Sequence, residues 1–373
     1  MTKHLMINGR KTTFTSGQTI LEVARANQIP IPTLCYLKDT APTGRCGICV
    51  VEVDGRDKLI SSCSTFADRG MKIKTESERV IKERKTILAK LLSSGNHNCA
   101  IGGSGRDQWS DFQLKVSKAD GTQELCPAWG VCRLQNLAYQ YQVDIDPCSQ
   151  VVAPDPMELK NPLIVRDFSR CILCGRCVQA CNEVQVNLVI QLDESRGKIV
   201  TENDKALIDS NCVFCGECVQ ACPVGALVEK KSRYVWRPWK SEKIRTTCPY
   251  CGVGCQQMLH VQEGKIVKVT GVEDAEPNKG RLCVKGRFGY DFIYSEDRLT
   301  TPLIKENGEF REASWDEALD LVANKFTEII ENHGPDALAG VSCARSINED
   351  SYQMQKLFRA VFKTNNIDHC ART

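Results

Sequence analysis

Apolar and polar positions along this chain change period several times, and the changes mark its parts. In His4–Ile7 and Thr12–Thr15 they alternate every second residue on either side of Asn8-Gly9. Alternation around a dipeptide that tolerates left-handed backbone predicts a tight hairpin. Thr19-Ile-Leu-Glu22 reads as a capping box that opens a short helix to Ala26. Val50–Val53 alternates into Asp54-Gly55 and predicts a second hairpin. From Ser77 to Ser94 the period turns helical, with Val80, Ile81, Ile87, Leu88, Leu91 and Leu92 on one side and Gly95 as the stop. Residues 96–145 read as helical or irregular, and a linker with Pro147, Pro154, Pro156 and Pro162 follows.

Strand alternation returns from Thr246, with a hairpin at Glu263-Gly264. Ser314-Trp-Asp-Glu317 predicts a second capping box, opening an amphipathic helix that carries Leu319, Leu321, Val322, Phe326, Ile329 and Ile330. A strand over Ala337–Ser342, a helix over Glu349–Phe362 and a strand over Asn366–His369 come next. Such alternation predicts an α/β layer, but two strands and two helices cannot cover both faces of a sheet, so the last part reads as an incomplete domain.

Composition changes this picture in one respect. The 373 residues are 42% hydrophobic and carry a formal charge of +3, which excludes a strongly polyanion-directed protein. No run of about 18 apolar residues predicts a membrane span. Met1–Arg10 has neither an apolar signal region nor a twin arginine, so a cytoplasmic location is expected. The 22 cysteines are the anomaly. Disulfides do not persist in a reducing compartment, so thiols in tight, repeated spacings point to metal or redox chemistry.

They fall into four sets. Cys35-x10-Cys46-x2-Cys49-x13-Cys63 lies on loops of the β-rich start, where four converging thiolates suit a two-iron, two-sulfide centre, with zinc as the bland alternative. His97-x-Cys99-x26-Cys126-x5-Cys132 could hold a histidine-ligated cubane or zinc. Cys171-x2-Cys174-x2-Cys177-x3-Cys181 returns as Cys212-x2-Cys215-x2-Cys218-x3-Cys222-Pro223, a duplicated unit. This is the bacterial two-cluster ferredoxin run, in which the fourth cysteine serves the other cluster. One cubane should therefore take Cys171, Cys174, Cys177 and Cys222, and the other Cys212, Cys215, Cys218 and Cys181. Cys248-x2-Cys251-x3-Cys255-x27-Cys283 could be a further cubane site or a zinc ribbon. Cys148, Cys343 and Cys370 remain, with buried small hydrophobes as their default reading. Lys230–Thr247 mixes basic residues with Tyr234, Trp236 and Trp239; a strap over neighbouring parts is favoured there over a nucleic-acid strip.

The order of the four sets, with Cys283-Val-Lys-Gly-Arg287 and Asn365–Arg372, resembles the N-terminal half of the large catalytic subunit of cytoplasmic molybdenum- or tungsten-dependent formate dehydrogenases, in the molybdopterin oxidoreductase family. The resemblance covers essentially the whole chain, although the gap from Cys99 to Cys126 is longer than the family's. It implies a multidomain α+β chain. Residues 1–78 would be a β-grasp two-iron ferredoxin, 79–145 a small helical module with the one-histidine, three-cysteine cluster, and 146–232 a ferredoxin-like two-cubane domain. Residues 243–299 would be the cubane domain, and 300–373 the partial α/β layer, of a pterin-dependent oxidoreductase.

The same resemblance implies one 2Fe–2S centre, three 4Fe–4S centres, a fourth that is histidine-ligated, and molybdenum or tungsten held by two pterin guanine dinucleotides. Lys285 would bridge the nearest cubane and a pterin. The metal-ligating selenocysteine or cysteine and its histidine are expected directly after Thr373, at a codon that doubles as a stop. No catalytic residue is thus expected within these 373 residues. Formate and carbon dioxide would be the substrates. Electron-transfer subunits of flavin/NAD(P), ferredoxin or hydrogenase type would be the partners, because no Gly-x-Gly-x-x-Gly follows a strand here. Neither nucleic acid nor a membrane is implied. The alternatives are a stand-alone iron–sulfur carrier and a subunit like the large peripheral one of respiratory complex I.

Overall fold

The computed structural model describes residues 3–95, 97, 126–143 and 156–370. They form two compact units, Met1–Glu242 with Gln262–Val267, and Lys243–Val261 with Lys268–Thr373.

The first unit opens with strands β1 (Lys3–Ile7) and β2 (Arg10–Phe14), antiparallel with Ile7 opposite Arg10. Asn8 and Gly9 both take positive φ, 50° and 77°, as a two-residue turn between right-twisted strands requires. Helix α1 (Ile20–Ala26) begins with both limbs of the capping box made. Glu22 N–H donates to Thr19 Oγ1 at 3.3 Å, and Thr19 N–H to the Glu22 carboxylate at 2.7 Å. Strands β3 (Val50–Val53), β4 (Ile60–Ser61) and β5 (Lys72–Lys74) complete a sheet ordered β2-β1-β5-β3-β4, with β1 and β5 parallel. Leu5, Ile7, Phe14, Val51 and Ile73 bury against Ile20, Leu21 and Val23 of α1. Asp54-Gly55 does not turn the strand straight back, because pairing resumes only at Ile60, opposite Val51.

Helix α2 (Glu78–Ser93) is capped by Ser77 and buries Val80, Arg84, Leu88 and Leu92. The predicted stripe is therefore correct in direction, but a fully buried arginine sits in its middle. Gly95 ends the helix for a different reason from the one expected. It does not adopt left-handed backbone; instead, a Cβ there would overlap the Ser169 carbonyl oxygen. Helix α3 (Arg133–Gln140) places Leu134 and Ala138 in one core with Leu88 and Leu92.

Strand β6 (Ile164–Arg166) carries the chain into the duplicated region. Helix α4 (Arg176–Gln179), hairpin β7–β8 (Ile190–Asp193, Lys198–Thr201) and helix α5 (Glu217–Ala221) follow. Strand β9 (Leu227–Glu229) closes it antiparallel to β6. The strap reading of the basic–aromatic stretch fits its first half. Trp236 and Arg237 are buried, and the Trp239 ring lies where a Cβ on Gly130 would be, 2.6 Å away.

Strands β10 (Glu242–Thr247), β11 (Gln256–Gln262) and β12 (Lys265–Gly271) lie in that order in a sheet, with Glu263 and Gly264 at positive φ in the predicted turn. In the second unit, helix α6 (Val284–Phe288) and hairpin β13–β14 (Leu303–Glu306, Glu309–Glu312) precede α7 (Trp315–His333). The capping box at Ser314 is half made. Its hydroxyl accepts from Glu317 N–H, but the Glu317 carboxylate turns to Arg311, 2.5 Å away. The apolar side of α7 is present but fully buries no residue, and Leu319, Leu321 and Val322 are exposed. Strand β15 (Gly340–Ser342) and strand β16 (Ile367–His369) are parallel neighbours. Between them runs helix α8 (Asn348–Lys356), which continues as a π-helical turn, Leu357–Phe362. Among the described residues no helix is long and apolar enough to cross a membrane.

His260 on β11 gives the second unit a pH dependence. Burial, helped by Lys268 and Lys243, lowers its pKa to about 4, and its Nε2 lies 3.0 Å from Thr270 Oγ1. The unfolded chain binds this proton below about pH 6.5 and the folded chain does not until about pH 4, so stability falls as pH drops through that window and levels off beneath it. Urea midpoints between pH 4 and 7 should show a steeper acid loss in the native protein than in His260→Asn. Parallel curves would remove His260 as the cause.

Candidate metal centres

The first set is brought together by loops around β3. Cys35 and Cys46 share a hydrogen bond between their thiols, as do Cys49 and Cys63, whose Sγ atoms are 3.3 Å apart. Within each pair the hydrogen bond lowers one thiol, Cys35 to about 5 and Cys49 to about 6, and raises the other, with burial raising it further. Both members of the second pair also feel Cys35. Two pairs side by side fit a centre in which each of two irons takes two thiolates.

Arg84 holds this site from beneath. It donates from Nε to Ile48 O (3.1 Å) and from Nη2 to Val50 O (2.9 Å), the carbonyls on either side of Cys49. Its Nη1 reaches Glu76 (2.6 Å) and Tyr141 Oη (2.7 Å). Periodicity could not show this, because a stripe count treats arginine as a solvent position.

Of the second set, His97, Cys126 and Cys132 are buried, while Cys99 lies outside the described residues. Burial and the neighbouring Arg170 lower His97 to about 4, so it is a neutral imidazole with a lone pair for a metal at pH 7. Burial pushes Cys132 up to about 12, with Cys126 and Cys222 adding to it. Arg170 donates from Nη1 to Cys126 Sγ at 3.2 Å, and Arg237 from Nη1 to the Cys126 carbonyl at 3.2 Å. Both arginines escaped the sequence reading, although Arg170 immediately precedes a predicted ligand. Positive donors beside a sulfur are outer-shell groups of the kind that tune a metal centre.

The duplicated unit is duplicated in backbone as well. Leu173 and Phe214 occupy the third position of each run with φ of 53° and 52°, and Gly175 and Gly216 the fifth with 78° and 71°. Left-handed leucine and phenylalanine are uncommon and cost energy. The conformation aims the third-position N–H back at the first cysteine, as Phe214 N does at Cys212 Sγ (3.4 Å). Cys171, Cys174, Cys177 and Cys222 line one apolar cavity, walled by Ile172, Ile190, Ile199 and Leu207, and Cys218 of the other run reaches it as well. Burial raises these thiols, Cys171 to about 11 and Cys174 to about 12, and Cys222 adds to the rise at all three partners. Cys212 feels Cys215 and Cys181. Cys222 is thus in electrostatic range of the first three cysteines of the other run, and Cys181 of Cys212, the first cysteine of the second run. Thiols that burial keeps protonated are deprotonated by a bound metal, so loading such a site releases protons.

Hydrogen bonds fasten the first set's loop to this region. Buried Arg176 donates to Tyr36 O and to Ala221 O, each at 2.6 Å, next in sequence to Cys35 and Cys222. Arg45 Nε donates to Leu173 O at 3.0 Å, and Gln179 reaches Thr40 and Ala41 O.

In the second unit burial raises Cys248 and Cys255, with Cys251 and Cys283 adding to both, and Cys248 N–H donates to Cys255 O at 2.8 Å. Cys283 caps α6, whose Lys285 is exposed and lies 5.9 Å over the Tyr250 ring. Tyr250 Oη donates to Gly289 O, and Gln257 Nε2 to Gly286 O at 2.6 Å. Among the described residues no group of three or more His, Cys, Asp or Glu donors is arranged around a single ion.

The leftover cysteines correct the sequence reading. Cys343 is half-buried and Cys370 exposed, so neither is a buried small hydrophobe, and their Sγ atoms are 3.2 Å apart. Cys148 lies outside the described residues.

Sequence profiles of known families match four stretches of the chain. Residues 3–78 match a 2Fe-2S iron-sulfur cluster binding domain and 170–226 a 4Fe-4S dicluster domain. Residues 241–295 match the molybdopterin oxidoreductase Fe4S4 domain, and 298–373 the molybdopterin oxidoreductase domain. Residues 241–373 thus match two domains of the molybdopterin oxidoreductases. A protein of Staphylococcus aureus (strain USA300) assigned by name to the formate dehydrogenases is 34% identical over all of this chain, and its counterpart in strain MRSA252 is 33% identical. The chain spans 39% of the length of these relatives. A chain of the NAD+-reducing [NiFe]-hydrogenase in its H2-reduced state superposes with a TM-score of 0.52 at 27% identity, over 63% of this chain and 90% of that one. Iron–sulfur domains of two types are thus joined, in one chain of mixed α and β content, to stretches that match molybdopterin oxidoreductase domains.

Proposed function

We propose that this chain is the electron-carrying part of a formate dehydrogenase or carbon dioxide reductase, passing electrons between a molybdenum or tungsten bis-pterin site and partner subunits. The observation that carries the reading is the ordered series of thiol sets, with described members of the first, ferredoxin and last sets in mutual contact or electrostatic range, ahead of a stretch that matches a molybdopterin oxidoreductase domain. Cys35, Cys46, Cys49 and Cys63 would hold a 2Fe–2S centre. His97, Cys99, Cys126 and Cys132 would hold a cubane, the ferredoxin runs two more with their fourth cysteines exchanged, and Cys248, Cys251, Cys255 and Cys283 the last. The five-part division at residues 78, 145, 232 and 299 follows these sets. The bound clusters would supply one-electron carriers; the protein supplies burial, thiolates and hydrogen bonds to sulfur. Arg176, Arg45 and Gln179 would keep the two-iron loop in register with the cubane beside it. Exposed Lys285, beside the last cubane set, would face the pterin.

The likeness to a hydrogenase chain favours one variation, a partner subunit that exchanges electrons with NAD. Formate added anaerobically to the holoprotein from its native cells should reduce the clusters, seen by paramagnetic resonance, and pterin should be extractable. Clusters that dithionite reduces but formate does not, in a protein without pterin, would leave a pure carrier.

A further inference from the structure

We propose that Cys343 and Cys370 are a redox-active dithiol that closes to a disulfide by exchange with low-molecular-weight disulfides. The two residues directly follow Ser342 and His369, a matched pair in the parallel strands β15 and β16. Adjacent strands lie about 4.8 Å apart, inside the Cα spacing of about 4.4–6.8 Å that a disulfide needs. Their Sγ atoms already stand 3.2 Å apart. Closing to the S–S bond length of about 2.05 Å takes a small side-chain rotation and no change of strand register.

The surroundings suit exchange. Cys370 is exposed among the described residues. The hydrogen bond with Cys343, a backbone hydrogen bond at Ala344 and the nearby Arg345 lower the Cys370 pKa, which raises its thiolate fraction. Arg345 N–H donates to Cys343 Sγ at 3.3 Å and fixes the resolving sulfur in place. In the first step the Cys370 thiolate attacks one sulfur of the small disulfide, forming a mixed disulfide and releasing one thiolate. Cys343 then attacks Cys370 Sγ, forming the bridge and expelling the second thiolate. The protein loses two protons and two electrons, and the small disulfide is reduced to two thiols. Neither cysteine belongs to any of the four ligand sets, so the bridge forms without taking sulfur from a cluster.

The test uses the full chain with its clusters, held anaerobically, titrated with glutathione disulfide, quenched with an alkylating agent and mapped by mass spectrometry. The expected product joins the peptides of Cys343 and Cys370, two hydrogens lighter than the pair, reverts with dithiothreitol and leaves the iron content unchanged. Cys343→Ser should instead trap a glutathione adduct on Cys370. Recovery of both cysteines alkylated at every glutathione ratio would overturn the proposal. So would a stable Cys370 adduct in the native protein, since Cys343 would then fail to resolve it. Both outcomes are read without reference to pterin or formate.

Discussion

Arg84→Met should lower the stability of the first unit by about 3 kcal/mol and weaken its hold on the two-iron centre. Methionine keeps the length of the stem but none of the five N–H donors. Replacing a buried ion pair by an apolar side chain is often neutral, so the magnitude depends on what is left behind. The Glu76 side chain is 46% exposed and can return to water. The Ile48 and Val50 carbonyls, which Arg84 engages within the core, lose buried donors, whereas Tyr141 Oη keeps its hydrogen bond to Glu76 at 3.1 Å. Each unpaired group costs about 1–3 kcal/mol, which sets the scale. Those carbonyls flank Cys49, so their release loosens the ligand loop as well. Urea unfolding followed by circular dichroism, with iron counted before and after, reads both effects. A loss under about 0.5 kcal/mol, within the range of an ordinary surface change, would show that Arg84 is not a strut.

This arginine shows where reading from sequence stops. Asn8-Gly9, Glu263-Gly264 and the Thr19 capping box were legible because their partners lie within three residues, and local geometry decides them. The cysteine runs were legible because a ligand loop must place thiols at fixed steps around a compact cluster. Arg84, Arg170, Arg176 and Arg237 were not, since each spends its charge on backbone or side-chain groups brought near by tertiary packing. Arg176, for instance, meets Tyr36 from the far side of 139 intervening residues. The contact between Cys343 and Cys370 was illegible for the same reason. Parallel pairing of β15 and β16 creates it, and no spacing rule encodes that pairing. Where local rules were misread, a contact outside the motif had won. Gly95 answers a close approach of Ser169, and Glu317 leaves its capping box for Arg311.

The exchange of fourth cysteines between the ferredoxin runs can be settled by pairing variants. Any single cysteine change in the runs should cost about four irons per chain, whichever way the ligands are shared, so single variants do not decide the matter. Pairs do. On top of burial, Cys222 raises Cys171, Cys174 and Cys177, and Cys181 raises Cys212, although Cys218 also lines the cavity of the first three. Cys171→Ala with Cys222→Ala should therefore remove one cubane, about four irons, and so should Cys212→Ala with Cys181→Ala. Cys212→Ala with Cys222→Ala should remove both cubanes, about eight irons. Were each run to ligate its own cluster, these results would be reversed, with the Cys171/Cys222 pair losing eight and the Cys212/Cys222 pair four. The two-iron signal serves as the internal control. Its ligands lie on a loop that Arg176 ties to the Ala221 carbonyl, beside Cys222 but not through its sulfur. A variant that keeps this signal has lost a cubane and not its fold, and only such variants count toward the comparison.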